Sequence, residues 1–311
     1  MPRASVVIPI YQRADMLAPC LDALVATGLD DIELVLVDNG SSDPGIRPLL
    51  DAWEGSAVVR RNPVNAGFAA ACNQGARLAS APVVVFLNSD TEVTAGWIEP
   101  LLDAVEDPGV GMAGSRLLYP DGRVQHAGMA LARAGQPVHL HPGVPGDHPL
   151  VTRNRDLLLL TGACCAMSRE IFLEVGAFDL GFVNGHEDVD LCMRLAAGGR
   201  RMLYRADSVV VHHESMSPGR LDSDSDNSML FRSRWSGWAP DWEDLLAEDG
   251  LTECRWADCR WEGPLLDASP EAALGRDAVH ALVAAGRRPV VREHPALPLA
   301  PDAAALCDDV L

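Results

Sequence analysis

Short runs of apolar residues, many of them β-branched, recur in the first part of the chain, and each run ends in polar residues. One of them, VVVFL, leads without a turn residue into Asn88, Ser89 and Asp90. Runs of this length indicate buried strands, whereas apolar residues at intervals of three and four indicate helices. Strands are predicted at residues 4–10, from Glu33, at 57–60 and at 83–87, with helices at 16–25 and 68–78.

The alternation of strands and helices predicts the fold class. Strands and helices at this spacing favour an α/β fold with a mostly parallel central sheet and helices on both faces. In such sheets, ligands bind beyond the carboxyl ends of the strands. Three of the four predicted strands end in chemically useful side chains: Tyr11 with Arg13, Asp38 with Asn39, and Asn88 with Ser89 and Asp90.

The middle of the chain has a less regular pattern. Residues 137–149 are rich in proline, glycine and histidine, which predicts a mobile loop. Residues 157–167 predict a strand, and Ser168 is placed to cap a short helix that runs to Val175. Further predicted elements are a helix from near Glu187 to Gly198 and Gly199, a strand in SVVVHH, and a helix in DNSMLFRSRW.

Composition excludes several classes of protein. The 311 residues are 48% hydrophobic, enough for a sizeable core, and a formal net charge of −19 argues against nucleic-acid binding. The eight cysteines lie mostly among apolar neighbours, and no signal-peptide pattern opens the chain. No apolar run approaches the roughly 20 residues of a membrane-spanning helix. We therefore expect a cytoplasmic protein that could work at the inner face of a membrane.

The last part of the chain differs from the rest. Residues 1–247 are predicted to form one domain and residues 248–311 a small α/β extension. The extension contains a predicted helix with Ser269 as its N-cap, followed by a strand in RRPVVREH. One such piece cannot bury its own faces, so it either packs on the main domain or begins a second domain. Cys254 and Cys259 lack a second pair at zinc-site spacing.

Three groups could carry chemistry, and each has a plainer explanation. Asp90 could bind Mg²⁺ beside phosphates, or it could cap the next turn. Glu187 and Asp188 could supply a general base, or they could simply complement a helix dipole. His212 could be a ligand of the same metal, with His213 as the alternative, although a histidine after an apolar strand is more often structural.

The segments are more specific together than separately. VVIPIYQR, LVLVDNGSSD, NAGFAAACNQG, VVVFLNSDTEV followed by GW, TGACCAMSREIFLEVGAFD, HEDVDLCMRL and SVVVHHES occur in one order over about the first 235 residues. This series resembles the family 2 glycosyltransferases, inverting enzymes of the A-type nucleotide-sugar transferase fold. Within that family it resembles the rhamnosyltransferase-like branch.

The resemblance implies roles for individual residues. The implied nucleotide-binding residues are Pro9, Tyr11, Arg13, Asp38, Asn65, Gly67, Asn73, Asn88 and Ser89. Asn88 takes the first place of the family's Asp-x-Asp motif, so that Asp90 and His212 are the implied metal ligands. Asp188 aligns with the general base and Glu187 stands beside it in the catalytic pair. His186, Gly162 and Trp97 are implied on the acceptor side.

The implied reaction is an in-line displacement. Asp188 takes the proton of an acceptor hydroxyl, whose oxygen attacks the anomeric carbon of a dTDP- or UDP-linked sugar with inversion. A divalent cation, Mg²⁺ or Mn²⁺, neutralises the leaving nucleoside diphosphate. The implied partners are this donor and a glycan, lipid-linked or other hydroxyl acceptor, with peripheral membrane association left open. No feature indicates an oligomeric state.

Two departures from the family pattern leave alternatives open. Asn88 in the metal motif is the best argument for a non-catalytic sugar-nucleotide or glycan-binding module of the same fold. FRSRW resembles the Gln-x-x-Arg-Trp motif of processive synthases, but Phe231 replaces the glutamine, which favours single transfer. A sugar nucleotidyltransferase, the third alternative, should open with a Gly-rich loop that IPIYQR lacks.

Overall fold

A computed structural model describes residues 1–213 and 223–249, with two short strands at 266–267 and 291–292. The helices are α1 (Ala14–Thr27), α2 (Ile46–Asp51), α3 (Phe68–Leu78), α4 (Ile98–Val105), α5 (Arg169–Glu174), α6 (Glu187–Ala197), α7 (Asp224–Trp235) and α8 (Trp242–Glu248). The strands are β1 (Ala4–Ile10), β2 (Ile32–Asp38), β3 (Val58–Arg61), β4 (Val83–Leu87), β5 (Thr91–Val93), β6 (Val110–Leu118), β7 (Val124–His126), β8 (Met129–Leu131), β9 (Pro137–His139), β10 (Arg155–Leu157), β11 (Cys164–Ser168), β12 (Arg201–His212), β13 (Leu266–Asp267) and β14 (Val291–Arg292).

The main sheet confirms the predicted fold class. Its strands follow the order β10-β12-β6-β11-β4-β1-β2-β3, while β5 pairs with β12 and β7 with β6. Strands β1 to β4 pair in parallel, with Val7 opposite both Val35 and Phe86. Strands β6 and β12 are also parallel, whereas β11 runs antiparallel between β4 and β6. The sheet is therefore mixed, with a parallel half formed by the first four strands.

Alternate residues of the central strands face two apolar layers. In β1, Val7 packs in the layer that contains residues of α3 and α6, whereas Val6 and Ile8 pack in the layer that contains residues of α1 and α4. Helix α3 approaches β1 closely at Gly75, where a Cβ atom would overlap the side chain of Val7. A strand that is buried on both faces of a sheet needs a continuous run of apolar residues. Its polar neighbours in the sequence therefore lie beyond the ends of the strand.

Residues 157–167 do not form the single predicted strand. β10 ends at Leu157 and pairs with β12, whereas β11 begins at Cys164 and pairs with β4 and β6. The chain between them crosses from the edge of the sheet to its centre. Leu159 and Leu160 are fully buried in this crossing, so the apolar pattern continues where the strand does not.

The mobile loop predicted at residues 137–149 is also corrected. Its first three residues form β9, which pairs antiparallel with β8. Leu140 is fully buried, and its N–H donates to the carbonyl of Gly128 (3.0 Å). Farther along, the Val144 carbonyl accepts from the Val124 N–H (2.7 Å). Burial and backbone pairing order a segment whose composition resembles that of a loop.

The structure allows two sequence predictions to be examined for the described residues: that the cysteines lie among apolar neighbours, and that no helix spans a membrane. Among the helices in residues 1–213 and 223–249, none is long and apolar enough to cross a bilayer. The thiols of Cys20, Cys72, Cys164, Cys165 and Cys192 are free and buried. Burial raises the pKa of the Cys20 thiol to about 12. These cysteines pack as small apolar residues.

The predicted extension falls almost entirely outside the described residues. Cys254, Cys259 and the helix predicted after Ser269 all lie there, and only β13 and β14, which pair in parallel, are described. Helix α8 continues one residue past the predicted boundary at residue 247, to Glu248. The division into two domains stays a prediction.

Polar contacts of Asp190 join α6 to α7. The fully buried carboxylate accepts hydrogen bonds from Arg194 Nε (2.8 Å), Arg234 Nη1 (2.8 Å) and Trp235 Nε1 (3.0 Å). Arg194 also donates to the Val175 carbonyl and to a second carbonyl in the turn after α5. Arg234 and Trp235, the last two residues of FRSRW, therefore hold α7 against α6, the helix that carries Asp188.

We expect the Asp190→Asn substitution to lower the free energy of unfolding by about 3 kcal/mol. It removes the charged partner of the half-buried Arg194 and one of the two carboxylates that Arg234 contacts, the other being Asp179. Urea unfolding of the purified protein measures the change. Asp207→Asn is the matched control: Asp207 has a 49% exposed side chain and pairs with Arg205, so its loss should cost less than about 1 kcal/mol. Equal losses in the two variants would contradict the structural role of Asp190.

Candidate active site

The first two loops at the carboxyl edge of the sheet are joined by Gln12 and Asp43. The Gln12 side-chain oxygen accepts from the N–H of Asp43 (2.8 Å). Asp43 Oδ2 accepts in turn from the N–H of Ala14 (2.9 Å), the first residue of α1. These bonds hold the backbone around Tyr11 and Arg13, which the sequence predicts beside the nucleotide.

Arg13 and Tyr11 are both accessible at this edge. Arg13 adopts the left-handed conformation (φ 60°) before α1, and its guanidinium donates to Asp15 (2.9 Å). The hydrogen bond to Asp15 raises the pKa of Arg13, and the negative charge of Asp90 adds to the rise. Tyr11 is 41% exposed, and Pro9 is half-buried in β1.

A network of asparagines holds the loop before α3 beside the end of β2. Asn39 Nδ2 donates to Asn65 Oδ1 (2.7 Å) and to the Gly67 carbonyl (3.1 Å), while Asn39 Oδ1 accepts from Asn62 Nδ2 (3.1 Å). Gly67 has a φ of 89°, which favours glycine. Asp38 Oδ1 accepts a backbone N–H from the turn that follows β2 (3.0 Å). The structure thus brings Asp38, Asn65 and Gly67 to one edge.

Asn73 does not join this group. It is 5% exposed, its Nδ2 donates to the Phe178 carbonyl (2.8 Å), and its Oδ1 accepts from the Phe178 N–H (3.0 Å). Both ends of the amide are engaged with one backbone unit of the segment that leads to α6. We correct the predicted nucleotide contact of Asn73 to a structural one, because its polar atoms are already paired inside the protein.

Asp90 and His212 meet where β4 and β12 end. His212 Nε2 lies 3.1 Å from Asp90 Oδ1 and 3.4 Å from Asn88 Nδ2. His212 is 5% exposed, and β12 pairs it with Thr91 of β5, which adjoins Asp90. Ser89 is half-buried between Asn88 and Asp90. Residues far apart in the sequence therefore form one polar group.

This group suits a divalent cation. A carboxylate oxygen and an unprotonated imidazole nitrogen both offer electron pairs, so they repel each other at 3.1 Å unless a proton or a cation lies between them. Asn88 Oδ1 is buried and has no hydrogen-bond partner among the described residues. No group of three or more His, Cys, Asp or Glu residues in the described ranges could hold a metal. A cation here would need further ligands, as Mg²⁺ does when it binds phosphates and water.

The two histidines at the end of β12 have different partners. His213 Nε2 lies 2.6 Å from Glu92 Oε1, and the His213 N–H donates to the Asp90 carbonyl (3.0 Å). The ring of His212, in contrast, lies beside the Asp90 carboxylate. The geometry therefore favours His212 over His213 as the candidate ligand.

Asp188 is fixed by three hydrogen bonds in the first turn of α6. Its Oδ2 accepts from the Gly162 N–H (2.8 Å) and the Thr161 hydroxyl (3.3 Å), and its Oδ1 accepts from the Val189 N–H (2.8 Å). A Cβ atom at Gly162 would lie 3.2 Å from Asp188 Cβ, so a side chain there would crowd the carboxylate. Asp188 is half-buried, so that part of its carboxylate remains accessible.

Backbone groups of two neighbouring residues, Gly162 and Ala163, link Asp188 to the end of β4. The Gly162 N–H donates to Asp188, while the Ala163 carbonyl accepts from the Asn88 N–H (2.9 Å). Adjacent residues thus contact the candidate base and the strand end that carries Asp90. The link fixes these two groups at the same edge of the sheet.

Glu187 and His186 form the turn that leads into α6. Glu187 is 5% exposed, and its Oε2 accepts from the Gly185 N–H (2.7 Å). His186 has a φ of 70°, and its ring stacks 6.5 Å from that of Phe182 and lies 5.7 Å from that of Phe231. The contact with the Gly185 backbone gives Glu187 a structural part in the turn before Asp188.

Trp97 is not at the surface of the site. Its side chain is 2% exposed and packs in the same apolar layer as residues of α1 and α4. Its carbonyl accepts from the Ser208 hydroxyl (2.6 Å). The expectation of an acceptor-side role for Trp97 is therefore corrected: the residue belongs to the core, because it begins the apolar face of α4.

Sequence reasoning missed two side chains that contact the candidate residues. Thr161 donates to Asp188, and Gln125 Oε1 lies 2.6 Å from His212 Nδ1. Thr161 could have been noticed as a polar residue at the end of an apolar run. Gln125 lies on β7 with no motif around it, so nothing in the sequence indicates its contact with a residue of β12.

Sequence comparison shows the family of the chain. The model of the family "Glycosyl transferase family 2" matches residues 5–176. The chain is 36% identical over 228 residues to the O-antigen biosynthesis protein RfbC of Myxococcus xanthus, covering 70% of this chain and 18% of that protein. It is 30% identical over 237 residues to the N-acetylglucosaminyl-diphospho-decaprenol L-rhamnosyltransferase of Mycobacterium tuberculosis, covering 67% of this chain and 76% of that protein.

Solved structures share the fold. A structure of GalNAc-T7 with UDP, GalNAc and Mn²⁺ aligns with a TM-score of 0.61 at 20% identity, over 78% of this chain and 49% of that chain. The mannosyltransferase PcManGT of Pyrobaculum calidifontis, in complex with GDP-Man and Mn²⁺, aligns with a TM-score of 0.54 at 21% identity, over 98% and 78%. At these identities the likeness shows the fold alone.

The chain is shorter than several of its relatives. The matched parts are 18%, 26% and 42% of three of them, so the chain spans less than half of their length.

His126 adjoins Gln125 and is completely buried. Its Nδ1 lies 3.1 Å from Nδ1 of His139 on β9, and its Nε2 has no hydrogen-bond partner among the described residues. Burial lowers the pKa of His126 well below its ordinary value, and the charges of His139 and His212 lower it further. The folded protein therefore keeps this imidazole neutral.

We expect the His126→Gln substitution to flatten the pH dependence of stability. Below the ordinary histidine pKa of about 6.5, the unfolded chain binds a proton at residue 126 that the folded chain does not. This difference removes up to about 1.4 kcal/mol of stability for each pH unit as the pH falls. Urea unfolding of both proteins between about pH 7 and about pH 5 measures the slopes. Equal slopes would contradict a neutral His126 in the folded state.

Proposed function

Because the chain belongs to glycosyl transferase family 2, we propose that it moves one sugar from a nucleoside-diphosphate sugar to a hydroxyl group of an acceptor. Asp188 is the general base, and the anomeric configuration inverts because the acceptor oxygen displaces the nucleoside diphosphate in a single in-line step. A dTDP- or UDP-linked sugar is the proposed donor.

One observation carries this proposal most directly. The Gly162 N–H donates to Asp188 and the carbonyl of the next residue, Ala163, accepts from the Asn88 N–H, so the candidate base and the Asp90–His212 pair lie along one edge of the sheet. Glycosyl transfer needs a base at the acceptor oxygen and positive charge at the departing diphosphate, at a separation set by one sugar ring. Two groups bonded to neighbouring residues of one chain segment meet the requirement for a constant separation.

Asp188 is oriented for proton transfer. Its three hydrogen bonds are local, from residues on either side of the carboxylate, and they fix the side-chain torsions. The half-exposed carboxylate can still receive the proton of an approaching hydroxyl, which requires a heavy-atom distance of about 3 Å. His186 and Gly162 border the same position and are the proposed acceptor-side residues.

Asp90 and His212 are the proposed ligands of a divalent cation. When bound, Mg²⁺ or Mn²⁺ neutralises charge that develops on the leaving diphosphate. Arg13, which follows β1 at the same edge of the sheet, is the proposed source of a second positive charge. The residues proposed to border the nucleotide are Pro9, Tyr11, Asp38, Asn65, Gly67, Asn88 and Ser89. This arrangement supplies cations to a substrate phosphate in a chain whose net charge is −19.

The names of relatives support an acceptor class. One relative is named for a substrate in which N-acetylglucosamine is joined to decaprenol through a diphosphate. We propose a lipid-linked sugar as the acceptor, which would place the protein at the cytoplasmic face of a membrane. Leu180 and Val183, in the segment that leads to α6, have exposed apolar side chains that could contact a lipid.

We expect the Asp188→Asn substitution to reduce turnover by about 10²-fold or more, because an amide cannot accept the proton. The donor is chosen by a thermal-shift screen of UDP, dTDP and GDP with and without Mn²⁺, since a ligand that binds the folded state raises its melting temperature. Release of the nucleoside diphosphate is then measured with polyprenyl-diphosphate-linked N-acetylglucosamine among the acceptors. Nucleotide affinity should stay unchanged.

Glu174→Gln, at the exposed end of α5, is the matched control and should keep wild-type turnover. Unchanged turnover in Asp188→Asn would remove the assignment of the base. Donor binding by the wild-type protein without transfer or hydrolysis, across a broad acceptor panel, would instead favour a non-catalytic binding module.

A further inference from the structure

Gln125 contacts the imidazole of His212 at Nδ1, on the edge of the ring away from Asp90. Gln125 Oε1 is 2.6 Å from His212 Nδ1, while Nε2 of the same ring is 3.1 Å from Asp90 Oδ1. We propose that Gln125 is a positioning residue that holds the proton of His212 on Nδ1 and so presents the Nε2 electron pair to a cation. This inference rests on the metal-dependent function proposed above.

The chemistry of the contact selects one tautomer. A side-chain carbonyl oxygen can only accept a hydrogen bond, so the imidazole nitrogen that faces it must carry a proton. A neutral ring with a proton on Nδ1 has only an electron pair on Nε2. Ligand histidines commonly have their second nitrogen bonded to an oxygen in this way, which fixes the orientation of the ring.

The contact is built into the sheet. Gln125 is the middle residue of β7 and is 8% exposed, and His212, the last residue of β12, is 5% exposed. Both strands pair with β6. The two side chains therefore meet across a rigid framework, where a 2.6 Å contact holds the ring in one orientation.

Asn88 supports the same tautomer from the other side. Its Nδ2 lies 3.4 Å from His212 Nε2 and can donate only to an unprotonated nitrogen. With Nδ2 turned to the ring, Asn88 Oδ1 is the atom left without a hydrogen-bond partner among the described residues. A cation beside Asp90 and His212 would find a carboxylate oxygen and the Nε2 electron pair, and neither requires Asn88 to be a carboxylate.

Two substitutions at residue 125 separate this role from simple packing. Gln125→Leu keeps the size but removes the acceptor, whereas Gln125→Glu keeps an acceptor. We expect Gln125→Leu to weaken Mn²⁺ binding about 10- to 100-fold, the usual effect of losing such a partner. Gln125→Glu should keep the affinity within about threefold or increase it. Titration calorimetry or electron paramagnetic resonance measures Mn²⁺ affinity in the presence of UDP or dTDP.

The tautomer is measured independently of the metal, in the Asp90→Ala variant, where no carboxylate competes for a proton on Nε2. In this metal-free variant labelled with ¹⁵N-histidine, long-range ¹H–¹⁵N spectra at about pH 8 distinguish a proton on Nδ1 from one on Nε2 in a neutral ring. The His212 signals are identified by their loss in His212→Gln. We expect Nδ1–H in Asp90→Ala alone and combined with Gln125→Glu, and a loss of this preference when it is combined with Gln125→Leu.

Gln136→Leu, at an exposed position between β8 and β9, is the matched control and should change neither measurement. If Gln125→Leu does not fold, Gln125→Met serves in its place. A wild-type protein that binds Mn²⁺, with equal affinity in Gln125→Leu, would overturn this inference alone. An Nε2–H tautomer in the Asp90→Ala variant would do the same. A wild-type protein that binds no Mn²⁺ with either nucleotide would overturn the proposed metal dependence and this inference with it.

Discussion

The hydrogen bonds of Gly162 and Ala163 are the constraint on which the proposed site depends. They lie on the chain that crosses from β10 to β11, and they tie the first turn of α6 to the end of β4. Base and cation must keep a constant separation for one sugar to fit between them. The fold provides it with backbone groups of two neighbouring residues, which have fewer rotatable bonds between them than a pair of long side chains.

Other contacts support this link from three directions. The asparagine network around Asn39 holds the loops of the predicted nucleotide side, and Asn73 ties α3 to the segment before α6. The buried carboxylate of Asp190 ties α6 to α7. In each case a polar side chain makes a structural contact in a region where ligands are expected. Such residues are easily mistaken for ligand-binding residues when only the sequence is read.

The sequence was sufficient for the parts that depend on periodicity. The parallel strands and α3 follow from apolar spacing, and the polar strand ends follow from the burial of the sheet on both faces. It was insufficient where the chain changes partner. The strand predicted at residues 157–167 is interrupted, and residues 137–139 form a strand because of pairing that no local pattern reveals. Trp97 and Asn73 were misassigned for the same reason: burial and pairing decide their roles. Gln125 lies next to His212 only because β7 and β12 share β6.

Asn88 occupies a carboxylate's place in the family motif, yet the structure gives it a specific position beside His212 Nε2. The central claim is that a divalent cation binds between Asp90 and His212 while Asn88 stays neutral. Crystals grown with Mn²⁺ and UDP or dTDP, with diffraction recorded near the manganese absorption edge, test it most directly. We predict an anomalous difference peak in contact with Asp90 Oδ1, His212 Nε2 and the diphosphate oxygens. Clear nucleotide density with manganese absent from these two side chains would contradict the claim.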